Sequence, residues 1–126
     1  ATDDLSKGKK FWNQILNISH THSEEVENQG TITDIYDTGN GKIELLLSKY
    51  PQSPIAKFIK RRGCGIHHIC LKVDSIDCAI KELKENNIKI IGDDYTIGAE
   101  GYKVIFIHPS STGGVLLELA EEGTKD

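Results

Sequence analysis

The sequence predicts an α+β fold in which one βαβββ module is built twice. Three observations carry this. A glycine-led strand stands mid-chain, amphipathic helices alternate with strand hairpins, and the two halves of the chain resemble each other.

The mid-chain strand is Gly63-Cys64-Gly65-Ile66-His67-His68-Ile69-Cys70-Leu71-Lys72-Val73-Asp74: a glycine turn, a β-rich run and a polar stop. Alternation puts Ile66, His68 and Cys70 on one face and His67, Ile69, Leu71 and Val73 on the other. The second face is mostly aliphatic and predicts a core under the following helix. His68 therefore projects to the opposite side. A lone strand histidine is more often structural than chemical, so the case for His68 rests on other strands.

The first module reads as follows. Asp3 and Asp4 are N-cap residues, and Leu5, Phe11, Trp12, Ile15 and Leu16 recur at helical spacing to about Asn17. Gly8 inside this helix costs about 1 kcal/mol against Ala, which predicts close packing beneath it. Residues 20–27 read as an exposed or edge strand. Residues 31–36 and 42–47 flank the turn cluster Asp37-Thr38-Gly39-Asn40-Gly41 and predict a hairpin. Ser53-Pro54 starts a short helix that ends at Lys60-Arg61-Arg62-Gly63, cations at the negative end and glycine beyond.

The second module follows the His68 strand. Asp74 or Ser75 caps a helix to about Asn86, with Ile76, Ala79, Ile80 and Leu83 on its buried side. Residues 89–91 predict a short strand, 98–101 a loop, 103–108 a strand, 109–114 a turn and 115–119 the last strand, with Val115, Leu117 and Leu119 on one side. Residues 121–126 read as a solvated tail. The 126 residues thus make one domain of two modules, about 1–48 and 65–120, joined by a helix at 53–62.

The modules superimpose. Thr2-Asp3-Asp4-Leu5 falls on Val73-Asp74-Ser75-Ile76 at an offset of 71 (74 − 3), and Ile43-Glu44-Leu45 on Leu117-Glu118-Leu119 at 74 (118 − 44). The second copy leads with the His68 strand, so a leading strand is expected in the first copy too. The counterpart of His68 then falls four residues before Ala1. The repeat also pairs Glu44 with Glu118, each mid-strand between aliphatic neighbours. Such glutamates either face solvent on half-buried strands or need a partner. With a histidine on a neighbouring strand they form a donor set suited to Zn²⁺, Mn²⁺, Co²⁺ or Fe²⁺.

Composition is that of an ordinary globular protein, 37% hydrophobic and 27% charged. A net charge of −4 argues against nucleic-acid or anionic-membrane partners. No apolar run approaches the roughly 20 residues that span a bilayer, and no signal-peptide pattern opens the sequence. Cys64, Cys70 and Cys78 are odd in number and lack C-x-x-C spacing, which predicts reduced thiols. The expected location is the cytoplasm, or the mitochondrial matrix in a eukaryote.

Three segments together resemble the methylmalonyl-CoA epimerase family: Ser53-Pro54-Ile55-Ala56-Lys57-Phe58, Gly65-Ile66-His67-His68-Ile69-Cys70, and Phe106-Ile107-His108-Pro109-Ser110 through Gly113-Gly114-Val115-Leu116-Leu117-Glu118-Leu119. Ile97-Gly98-Ala99 fits as well. The His-Pro-x-x-x-Gly-Gly-Val segment discriminates most, since lactoylglutathione lyases usually carry Asp-Pro-x-Gly there. The family belongs to the vicinal-oxygen-chelate (glyoxalase/bleomycin-resistance-like) superfamily. That implies a half-open, mostly antiparallel barrel of paired modules around one divalent metal ion such as Co²⁺, Zn²⁺ or Mn²⁺.

By this resemblance His68, Glu118 and Glu44 are metal ligands, and a first-strand histidine ligand has no residue here to receive it. The chain alone is therefore expected to bind metal weakly. Some members carry an acid/base carboxylate at the position of Thr33, whereas Asp34 is expected on the other face. The implied reaction removes and returns the C2 proton of methylmalonyl-CoA through a stabilised enolate, with Glu118 as one base. The second base is open, Glu44 being the pseudo-symmetric candidate. The implied partner is a CoA thioester, and the implied assembly a homodimer. Lys57, Lys60, Arg61 and Arg62 are the nearest cations for CoA phosphates, although such a cluster is more commonly a solvated helix end. His20, His22, His67 and His108 read as surface, strand or turn residues. The alternatives are a lactoylglutathione-type isomerase and a metal-free small-molecule binding protein of the same fold.

Overall fold

The computed structural model describes residues 1–123, and the chain divides into two compact units, Ala1–His67 and a second beginning at His68. Residues 124–126 of the expected tail lie outside the described residues.

In the first unit the Asp4 carboxylate accepts the amides of Ser6 at 3.0 Å and Lys7 at 3.2 Å. Helix α1 (Leu5–Lys9) therefore starts where its capping residue dictates. It then widens into a π-helical segment, Lys10–Ile15, in which the Leu16 amide bonds the Phe11 carbonyl at 3.0 Å. The changed angular step breaks up the apolar stripe read from the sequence. Phe11, Ile15 and Leu16 are 46%, 62% and 48% exposed, while Leu5, Gly8 and Trp12 are half-buried.

Strands β1 (Ser19–Val26), β2 (Thr31–Asp37) and β3 (Lys42–Ser48) form an antiparallel sheet in that order. β1 is a mostly exposed edge, as expected, and β2–β3 is the expected hairpin. Helix α2 (Pro54–Arg62) follows, with the Ser53 hydroxyl accepting the Ala56 amide at 3.1 Å. Gly63, at φ 77°, ends it in a conformation that favours glycine.

The second unit opens into β4 (Ile69–Lys72), one residue beyond His68. Helix α3 (Ile76–Glu85) is capped by Ser75, and strands β5 (Ile90–Ile97), β6 (Lys103–Ile107) and β7 (Leu117–Glu121) complete a sheet ordered β4-β7-β6-β5. β4 runs parallel to β7, and the other pairs are antiparallel. Four boundaries differ from the sequence reading. β4 starts at Ile69, so Ile66 and His68, expected within the strand, precede it. β5 is far longer than 89–91, because a register shift between Ile91 and Thr96, beside Gly92 at φ 87°, hides its periodicity. β7 begins two residues late, leaving Val115 outside it and 43% exposed. Glu121 belongs to β7 rather than to a tail, and its carboxylate accepts the Ile76 amide at 2.9 Å.

The core of this unit is Ile76, Ile80 and Ile105, with Val73, Leu83, Ile90, Tyr95 and Leu119 packed against it. Leu119 faces α3 with Ile105, its ladder partner, as expected. Ile69 and Leu71, expected under the helix, are instead 49% and 54% exposed. β4 is an edge strand and α3 packs over β5, β6 and β7, so only Val73 reaches cover.

The repeat survives at the level of single hydrogen bonds. The Thr2 amide donates to the Leu46 carbonyl at 3.0 Å, and the Val73 amide to the Ala120 carbonyl at 2.8 Å. These are the same offsets the sequence gives, 71 (73 − 2) and 74 (120 − 46). Glu44 likewise faces Ile35 across the β2–β3 ladder, as Glu118 faces Phe106 across β6–β7.

Candidate functional site

β4, β7 and β6 lie side by side in the second unit, and on the face turned away from α3 β7 carries Glu118 and β6 Phe106, with His68 just ahead of β4. Glu118 is central. It pairs with Cys70 of β4 on one side and with Phe106 of β6 on the other. Period-2 geometry aims it opposite to Leu117 and Leu119, of which Leu119 packs toward α3. Only 8% of Glu118 is exposed. A carboxylate so buried requires a polar partner.

That partner is His68, whose Nε2 stands 3.4 Å from Glu118 Oε1. The Phe106 ring meets the imidazole edge to face, with centroids 5.6 Å apart and planes at 75°. Imidazole nitrogen and carboxylate oxygen thus face each other on a largely dry surface. Two of the three expected ligands come together here, and both donor types fit a borderline divalent ion. Among the described residues no three His, Cys, Asp or Glu side chains are grouped so as to hold a metal ion.

Glu44 belongs to the other unit. It is half-buried on the face of its sheet that carries Ile35 and Leu46, and the buried Thr33 shares that face. Asp34 points to the opposite face, as expected. The cations of α2 (Lys57, Lys60, Arg61 and Arg62) are exposed, and Lys60 lines an open cleft of about 320 Å³ with Thr2, Asp3, Leu47, Ser48, Ala56 and Ile59.

The sequence reading missed a second polar cluster. Asp34, 5% exposed, accepts a short hydrogen bond from the Ser23 hydroxyl, and His20 Nε2 stands 3.5 Å from the same oxygen. The Tyr36 ring packs on His20 with centroids 5.1 Å apart. Burial, and then the Asp34 carboxylate, push the Tyr36 hydroxyl above its ordinary value. The signal was present in the alternation, since Asp34 and Tyr36 share a face, but the β1 register that adds His20 and Ser23 depends on a bulge between His20 and His22. His108 is a turn residue, as read: its Nδ1 accepts the Ser110 amide at 3.0 Å. His67 packs edge to face on Phe58.

Residues 1–106 match the family model described as Glyoxalase/Bleomycin resistance protein/Dioxygenase superfamily. The mitochondrial methylmalonyl-CoA epimerase of Bos taurus is 39% identical over 122 residues, 96% of this chain and 70% of the bovine protein. The chain belongs to the methylmalonyl-CoA epimerase family of that superfamily. Solved structures agree. The Mycobacterium tuberculosis methylmalonyl-CoA epimerase superposes with a TM-score of 0.92 at 26% identity, over 98% of this chain and 83% of that one. The Streptomyces coelicolor methylmalonyl-CoA epimerase, in complex with 2-nitronate-propionyl-CoA, gives a TM-score of 0.89 at 25% identity, over 97% of this chain and 91% of that one. The resemblance read from the three segments is borne out, and with it the α+β fold. No helix among the described residues is long and apolar enough to cross a membrane.

Proposed function

We propose that this chain epimerises methylmalonyl-CoA at C2, with Glu118 and His68 at the reacting centre. The observation that carries the reading is the half-buried His68 imidazole 3.4 Å from the buried Glu118 carboxylate, in a chain of the epimerase family. The C2 proton lies between a thioester carbonyl and a carboxylate, so its removal leaves an enolate whose charge needs compensation. Glu118 takes the proton. Its carboxylate is held on a face that excludes most water, where a general base acts on a fixed target. His68 orients that carboxylate from one side. Reprotonation from the opposite face needs a second acid, and Glu44, the pseudo-symmetric glutamate, is our assignment. His68 and Glu118 would hold a divalent ion, which would supply Lewis acidity toward the developing enolate. Lys57, Lys60, Arg61 and Arg62 are the cations for the CoA phosphates. We further assign a homodimer, located in the cytoplasm or, in a eukaryote, the mitochondrial matrix.

The test is conversion of single-epimer methylmalonyl-CoA, run beside the hemithioacetal of methylglyoxal and glutathione, with Co²⁺ supplied. Turnover of the first substrate alone supports the proposal. Turnover of the second alone makes the chain a lactoylglutathione-type isomerase, and turnover of neither with Co²⁺ bound removes the epimerase reading.

A further inference from the structure

One row of the second sheet crosses the site. Ladder register sets Cys70 of β4, Glu118 of β7 and Phe106 of β6 side by side. Partners in register share a face of a sheet, so all three project away from α3. Their burial differs. Glu118 is 8% exposed and Phe106 is half-buried, while Cys70 is exposed. On its β6 side Glu118 is walled by an aromatic ring, which meets the His68 imidazole edge to face at 5.6 Å. On its β4 side, one strand spacing of about 4.8 Å away, stands the short side chain of Cys70. Cys70 is thus the member of the row that solvent reaches, and a molecule moving along this row to the Glu118 carboxylate passes over it.

We propose that Cys70 is a specificity-determining residue of the site: its small side chain leaves the room that takes the alkyl substituent at C2 of the malonyl thioester. The inference rests on the epimerase reading and deepens it. With the C2 proton aimed at Glu118, the other three groups on that carbon splay over its neighbours. Two of them carry oxygens and need polar partners, whereas the third is the alkyl group and needs apolar cover. Phe106 already fills the β6 side. A thiol behaves as a small hydrophobe, so it covers a short alkyl group without excluding it. The size of the side chain at position 70 then sets how large a substituent the site accepts. One methylene in such a contact is worth roughly 10–200-fold in discrimination.

Two measurements test this. The first reads contact: alkylation of the thiols by iodoacetamide, followed by mass spectrometry, with and without methylmalonyl-CoA. Cys70 and Cys78 are both exposed, and Cys78 lies on α3, across the sheet from the site. At about ten times its Kd the thioester should slow Cys70 roughly tenfold and leave Cys78 unchanged. The second measurement compares kcat/KM for ethylmalonyl-CoA and methylmalonyl-CoA with Co²⁺ supplied. Cys70→Leu should lower the ethyl-to-methyl ratio roughly tenfold or more, and Cys70→Ala should raise it. A residue that serves packing alone would lower both substrates alike and leave the ratio where it was. An unprotected Cys70, or a ratio unchanged in both variants, overturns the proposal. If Cys70→Leu fails to fold, the ratio in Cys70→Ala decides. A wild type that turns over neither thioester removes the epimerase reading and this inference with it. Turnover of methylmalonyl-CoA with an unchanged ratio removes this inference alone.

Discussion

Gly8 of α1 lies directly against Leu45 of β3: a Cβ added at Gly8 would stand 2.2 Å from Leu45 Cδ1. This contact explains a glycine that the helix would otherwise reject. Replacing Gly8 with Ala should gain about 1 kcal/mol of helix propensity, yet the clash requires Leu45 to leave its rotamer. We predict that Gly8→Ala alone gives no gain in chemical denaturation, whereas Gly8→Ala with Leu45→Val, compared with Leu45→Val alone, recovers most of it. Equal gains in both backgrounds would show that Leu45 yields freely.

The Asp4 cap sets an acid dependence. The Ser6 hydroxyl, then the Lys7 amide, hold its carboxyl below the ordinary 3.8. A depressed folded-state value means a contribution present above the unfolded value and lost as pH falls through the folded one. The first helix should therefore weaken in acid below about pH 4. Asp4→Asn, which caps without titrating, should flatten that part of the stability curve. An unchanged acid limb would place the effect elsewhere.

Burial separates two isoleucines. Ile105, 2% exposed in the α3 core, should cost roughly 2–5 kcal/mol on replacement by Ala. Ile69, 49% exposed on edge strand β4, should cost well under 1 kcal/mol. Urea titration of both variants checks this, and a loss at Ile69 equal to that at Ile105 would show that β4 is covered in solution.

The His68–Glu118 pair predicts an asymmetry in stability. His68→Ala leaves a buried carboxylate without its imidazole, at a cost of about 1–3 kcal/mol, while Glu118→Gln keeps shape and hydrogen-bonding capacity. Thermal unfolding should rank His68→Ala below Glu118→Gln. The reverse order would mean that the two side chains do not depend on each other.

Much of this was legible in the sequence because it is local. Ser53-Pro54, Gly63 and Ser75 mark helix ends through their own backbone chemistry, and the hairpin at Asp37-Thr38-Gly39-Asn40-Gly41 follows from its turn. The equivalence of Glu44 and Glu118 was legible too, since a repeat carries register with it. What escaped depends on neighbours. The exposure of Ile69 and Leu71 follows from β4 being an edge, the outward turn of Phe11 and Ile15 from π-helical widening, and the His20–Asp34 contact from a bulge in β1. Phe106 read as one more strand aromatic, because only its ladder partner and its contact with His68 single it out.

The central claim is that Glu118 removes the C2 proton. The most direct measurement is solvent exchange at C2 of methylmalonyl-CoA in D₂O with Co²⁺ present, followed by NMR in the wild type, in Glu118→Gln and in Glu44→Gln. The account predicts rapid exchange in the wild type, a loss on the order of 100-fold or more in Glu118→Gln, and a milder loss in Glu44→Gln, because a single base suffices for exchange and Glu44 is assigned to the return of the proton. Full exchange in Glu118→Gln with metal bound would contradict the base role, and a wild type that binds metal yet exchanges nothing would contradict the epimerase assignment itself.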